Sequence, residues 1–160
     1  MNINFITSFL FLLTALYSWY RNVILICISC SLCFISSIIY HGCLEYNITA
    51  NILATTKPTT TIPATTTLTT LTTPIHPNII SYIRIVDIIV CNTSTIIFIL
   101  VSIGFNIWYL FGLLCAYYNY FIYYKCKLST CPIYGDYWHS TLHLVGNIGI
   151  LCMVESCLFS

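Results

Sequence analysis

Long uncharged stretches separated by single charges dominate the chain. Residues 1–20 carry no charge, Arg21 interrupts, and residues 22–40 are uncharged again. A membrane-spanning helix needs about 20 mainly apolar residues, so these stretches predict two spans with a very short connection. Residues 88–124 also run without charge. That run is too long for one span and divides near Gly104 and Asn106, predicting spans near 81–103 and 105–124. A last span runs from about Tyr137 to Val154, with Glu155 at its far end. The predicted fold is all-α, a polytopic transmembrane helix bundle of about five spans. The first stretch has no basic leader and ends in Tyr17-Ser18-Trp19-Tyr20 rather than small residues. It reads as a retained span, not a cleaved signal peptide, with its aromatic end suited to the headgroup layer.

This pattern divides the chain into a transmembrane hairpin (1–43), an exposed loop (44–80) and a second group of helices (81–160). Residues 55–73 are mostly threonine, with Pro58 and Pro63 inside the tract and Pro74 and Pro77 after it. Such a composition cannot bury a core and predicts a disordered, exposed loop. On a luminal or extracellular face it reads as an O-glycosylated stalk; the other reading is low-complexity drift in a tolerant loop. Asn47-Ile48-Thr49 is an N-glycosylation sequon, which makes Asn47 a candidate acceptor, whereas Asn92-Thr93-Ser94 falls inside a span.

With the loop outside, parity places the N-terminus outside, Arg21 in the cytosol, residues 125–136 outside and the C-terminus in the cytosol. The expected location is the secretory-pathway or plasma membrane. Arg21 agrees with the positive-inside rule, while Lys125 and Lys127 oppose it. Cys126 and Cys131 then share an oxidising compartment and can form a disulfide.

Composition excludes several functions. With 59% hydrophobic and 6% charged residues, the chain cannot be arranged as a soluble globule of this size. It has a net charge of +1 and no basic cluster, so no nucleic-acid partner is expected. The expected partners are the bilayer, a membrane lipid as substrate and a further subunit that closes the bundle. No Gly-rich phosphate loop, nucleophile elbow or paired-carboxylate arrangement is present. Cys27, Cys30 and Cys33 recur every three residues but lack the fourth ligand of a cluster, and they read as small packing residues. Cys157-Leu158-Phe159-Ser160 matches a prenylation box without a polybasic partner; acylation of Cys152 or Cys157 fits its position better. The tyrosines between Trp108 and Tyr124 read as an interfacial belt.

The candidate chemistry begins with two histidines. Four residues advance a helix by about 400°, so His139 and His143 project from one face, one turn apart. Ser37 and His41 share this spacing in the last turn of the second span. Asp87 stands near the start of the third. The second span ends, and the third and fifth begin, on the same side, so all these groups lie at one membrane depth. Three neutral imidazoles with an open position form a common catalytic zinc shell. Zinc lowers the pKa of bound water to about 7. Asp87 would hold or deprotonate that water, or orient a ligating histidine, and Ser37 would donate a hydrogen bond to an oxyanion or to substrate. Each residue also has a plainer reading. The histidines can be interfacial anchors, Asp87 can pair with Arg84 three residues earlier, and Ser37 can bond back to the Cys33 carbonyl. Taken together, ionisable groups within a membrane favour a functional site.

Ser37-x-x-x-His41 closing one span, Asp87 opening the next and His139-x-x-x-His143 opening the last resemble the superfamily of alkaline ceramidases, adiponectin-type receptors and transmembrane protein 8. The wording Tyr40-His41-Gly42-Cys43 and Tyr137-Trp138-His139-Ser140-Thr141-Leu142-His143 looks most like its transmembrane protein 8 and myomaker branch. The match covers roughly residues 20–43, 81–103 and 136–154. The resemblance implies zinc bound by His41, His139 and His143, supporting roles for Ser37 and Asp87, and hydrolysis of ester or amide bonds in lipids. This chain departs from the family in three ways. It shows five predicted helices where the family has seven, it has Leu142 where many relatives have Trp, and its loop after His41 is longer. A non-catalytic relative, acting through its helices or its loop, is the alternative.

Overall fold

The computed structural model describes residues 3–55, 74–104 and 106–159. Five helices follow in order: α1 (Ile3–Tyr20), α2 (Ile24–Thr55), α3 (Pro77–Val101), α4 (Ile107–Leu128) and α5 (Pro132–Leu158). Four of them, over Ile3–Tyr20, Ile24–Asn51, Pro77–Val101 and Tyr134–Leu158, are long and apolar enough to cross a membrane. The described residues form an α-helical bundle of the transmembrane type. The tyrosines of α4 lower its hydropathy, and it is not among these four. It nevertheless packs along α5.

The boundaries have local causes. Asn22 separates α1 from α2 with a φ of 60°, in the left-handed region that asparagine tolerates better than most side chains. Around it, Val23 N donates to Ser18 O at 2.9 Å and Asn22 N to Trp19 O at 3.0 Å, the paired bonds that close a helix end at such a residue. Asn106 caps α4 by accepting from Tyr109 N at 3.0 Å, so the long uncharged run divides where Gly104 and Asn106 predicted. Prolines open α3 and α5, where a missing N–H costs nothing.

One boundary differs from the expectation. α2 continues to Thr55, past the predicted end of the hairpin at residue 43. Ala50 is buried in this extension, and Asn47 is bonded to Ile75, so tertiary contacts hold helix where the composition turns polar. Most of the threonine tract, residues 56–73, lies outside the described residues.

In space the helices run α4, α5, α1, α2, α3, with α3 also touching α5. The chain is inverted relative to a soluble protein. Leu13, Leu16, Ile35, Ile89, Leu110 and many other large apolar side chains face outward, while Asn4, Ser8, Thr14, Ser37, Asp87 and Asn147 are buried. Lipid solvates apolar side chains as well as a core does, so membrane helices associate through small and polar residues. α1 and α5 run side by side in the same direction, joined by three sets of polar contacts. Asn4 Nδ2 donates to Asp136 Oδ1 at 3.0 Å and Ser140 Oγ lies 2.7 Å from Asn4 Oδ1. Thr14 donates to Asn147 Oδ1 at 2.6 Å. At the far end Tyr17 donates to Glu155, which also pairs with Arg21 at 3.2 Å. A smaller apolar cluster, including Phe11, Ile26, Phe98, Met153 and Val154, fills the half of the bundle nearer Arg21.

The cysteines behave as packing residues. Cys30 and Cys33 are buried in that cluster, and Cys126 and Cys131, the pair expected to form a disulfide, are both free thiols. Cys126 Sγ instead donates to Gly135 O at 3.4 Å.

α4 approaches α5 closely through glycine. A Cβ on Gly149 would stand 2.8 Å from Cys115 Cβ, an atom fixed to its own helix that cannot swing away. Gly149→Ala is expected to cost about 1–3 kcal/mol and to lower the unfolding midpoint in detergent. Gly135→Ala, whose added Cβ meets nothing within 4 Å, serves as the neutral control.

Candidate metal centre

His41 comes from α2, and His139 and His143 from α5. Their ligand nitrogens all lie within 4.8 Å of one another. The ring centroids are 5.0 Å apart for His41 and His139, 5.6 Å for His41 and His143, and 4.8 Å for His139 and His143. His41 is 1% exposed and His143 3%, while His139 is half-buried. None of the three serves as an anchor turned toward lipid. The fourth histidine, His76, is exposed and accepts from Asn78 N at the start of α3.

The nitrogens have few partners. His139 Nε2 and His143 Nε2 face each other at 3.0 Å, but both ring nitrogens of His41 and Nδ1 of His143 are buried with no hydrogen-bond partner. A buried polar atom without a partner costs about 1–3 kcal/mol. Three imidazoles crowded together with unused lone pairs are the donor set that zinc takes, so the residues present fit that metal. Other rings wall the centre: Phe11 lies 5.4 Å from His143 and Tyr40 lies 4.9 Å from His41, both between centroids. Behind it, Asn147 Nδ2 donates to the His143 carbonyl at 2.8 Å.

Asp87 is 7% exposed and stands beside this group rather than in it. Ser37, one turn before His41 on α2, donates to Asp87 Oδ1 at 2.9 Å, and Ser36 donates to the same oxygen at 2.8 Å. Ser37 thus does not bond back to the Cys33 carbonyl. Its hydroxyl donates to Asp87, whose carboxylate it helps to hold. Arg84, the alternative partner for Asp87, is exposed.

The other expected sites fall elsewhere. Asn47 lies in α2 with both side-chain amide atoms bonded to the Ile75 main chain. Asn92 is exposed within α3, where its amide donates to Ile88 O. Cys157 Sγ packs 3.4 Å from Ser102 Oγ. Sequence reasoning missed Ser36, Asn4 and Asn147. Asn147 carried a usable signal, since it lies one turn after His143 on the same face.

Two hollows adjoin the site. A groove of about 510 Å³ runs between α1 and α4 over α5, lined by Leu10, Thr14, Tyr17, Trp108, Leu144 and Asn147 among others. None of its lining residues is a histidine. A smaller cleft of about 210 Å³ between α2 and α3, lined by Ser36, Ile39, Tyr82, Ile83 and Val86, reaches the serine that holds Asp87. Comparisons with known protein families, curated proteins and solved structures found no match to this chain.

Asp87→Ala removes the common acceptor of two hydroxyls in a dry interface. It is expected to destabilise the protein by about 2–3 kcal/mol. Asp87→Asn keeps a carbonyl oxygen and is expected to recover most of that loss, as read from unfolding midpoints in detergent.

Proposed function

We propose that this protein is a multi-pass membrane metalloenzyme that holds zinc on His41, His139 and His143 and hydrolyses an ester or amide bond in a membrane lipid. The observation that carries this reading is the convergence, from two helices distant in sequence, of three buried imidazoles whose nitrogens lack partners. Zinc bound there would supply Lewis acidity with one coordination position left for the reaction. The chain's own groups supply the rest. Ser36 and Ser37 both occupy Asp87 Oδ1, which leaves Oδ2 as the atom to take a proton from water. Phe11 and Tyr40 keep bulk water from the imidazoles. The cleft at Ser36 gives an acyl chain in the bilayer a lateral approach.

This reading sets the triad, Asp87 and Asn47 on the luminal or exterior face and the Arg21–Glu155 pair on the cytosolic face. The resemblance to the ceramidase and adiponectin-receptor superfamily supports the same assignment of ligands.

A second reading is favoured by one observation: the larger groove touches none of the histidines. On that reading the metal is structural, a staple between α2 and α5, which have little other direct contact.

Zinc content of the detergent-purified protein tests both readings. About one zinc per chain is expected, and its loss in a His139→Ala, His143→Ala variant. A folded wild-type protein without zinc sinks both. If zinc is present, the hydrolase reading requires that Asp87→Asn retain the metal and lose lipid cleavage on the order of 100-fold or more. The structural reading requires that chelation lower the unfolding midpoint and that no lipid be cleaved.

A further inference from the structure

The sequon Asn47-Ile48-Thr49 is held in an unusual way. Asn47 Nδ2 donates to Ile75 O at 2.9 Å, and Ile75 N donates to Asn47 Oδ1 at 2.6 Å. One side-chain amide therefore satisfies both main-chain groups of a residue 28 positions away, as a strand partner would. The contact closes the loop between α2 and α3 at its base. It also lies in the antiparallel register that sets Ser36 and Ser37 against Asp87 and brings Ser94 Oγ to 3.5 Å from Ser29 O, at the end of the hairpin that bears the loop.

The stereochemistry of this ring decides what else Asn47 can do. Donating to Ile75 O while Oδ1 accepts from Ile75 N requires the amide hydrogen on the same edge as Oδ1. An N-linked sugar converts the primary amide to a secondary one, whose substituent lies trans to Cβ and hence on that same edge. The hydrogen that survives points the other way. The sugar thus replaces the one hydrogen that the pairing uses.

We infer that Asn47 is a latch that fastens Ile75 to α2, and that this latched pairing and N-glycosylation of this sequon are alternative states of the chain. Glycosyl transfer forms the bond from Nδ2 to the sugar C1, breaks the bond from C1 to its nucleotide or lipid pyrophosphate, and releases the Nδ2 proton. The released proton is the latching one. A chain glycosylated before it folds leaves Ile75 unfastened, and a chain that folds first shields Asn47 from modification. This inference is independent of the metal.

Two measurements test it on the detergent-purified full chain. The first is amide hydrogen exchange at Ile75. Protection in the wild type is expected, with exchange on the order of tenfold faster in Asn47→Ala and no change in Thr49→Ala, which removes the sequon but not the latch. Equal exchange in wild type and Asn47→Ala overturns the latch. The second is treatment with a soluble N-glucosyltransferase and UDP-glucose, read by peptide mass. Wild-type Asn47 is expected to resist, while Ile75→Pro, which deletes the partner N–H, is modified. Modification of both at the same rate overturns the inference. So does resistance of both while a short peptide carrying the sequon is modified.

Discussion

In a hydrocarbon solvent a polar group on a helix must find its partner within the protein, and the arrangement of this bundle follows from that requirement. Its buried positions include many serines, threonines and asparagines and an aspartate beside one apolar cluster, and its outward positions are mainly leucines, isoleucines and aromatics. α1 is placed by the polar contacts at its two ends and at Thr14, since its apolar residues gain little by leaving lipid for protein. Loss of any rung leaves a polar atom in a dry interface, a larger penalty than a lost apolar contact between membrane helices.

The histidine triad is where this accounting fails. Asn4, Thr14, Asn147, Ser140 and Asp87 all have partners, whereas His41 has none for either ring nitrogen and His143 none for Nδ1. The failure falls between α2 and α5, which stand on opposite sides of α1. A cation there would take one nitrogen from each ring and tie together two helices that α1 otherwise holds apart. Chemistry and architecture thus make the same demand on one point in the bundle.

Much of this was legible in the sequence, for reasons particular to membranes. Uncharged stretches bounded by single charges located all five helices, and Asn106 marked the division of the longest. Parity brought His41, Asp87, His139 and His143 to one depth without any knowledge of packing. The extension of α2 was not legible, because residues 44–55 look like loop until Asn47 meets Ile75 and Ala50 finds a neighbour. The partners of the small polar residues were equally hidden. A serine or threonine in a membrane helix can always bond to its own preceding turn, as Ser8 and Ser18 do. Only the folded chain shows that Ser37 reaches across to Asp87 instead, and that Thr14 reaches Asn147 as well as Leu10 O in its own preceding turn. The free thiols at Cys126 and Cys131 show the converse, a pairing that a shared compartment allowed and the fold does not make.

The parallel pairing of α1 with α5 bears on how the protein is made. α1 leaves the ribosome before α5 and presents Asn4, Thr14 and Tyr17 toward that later helix. Until α5 arrives these groups face lipid, or a stand-in supplied by the insertion machinery, with only α2 alongside. Both histidines of α5 arrive in that same later helix. A nascent chain stalled or cut before Asp136 would therefore lack both histidines of α5 and the support for α1, and would be marked for quality control by exposed amide and hydroxyl groups rather than by exposed hydrophobic ones.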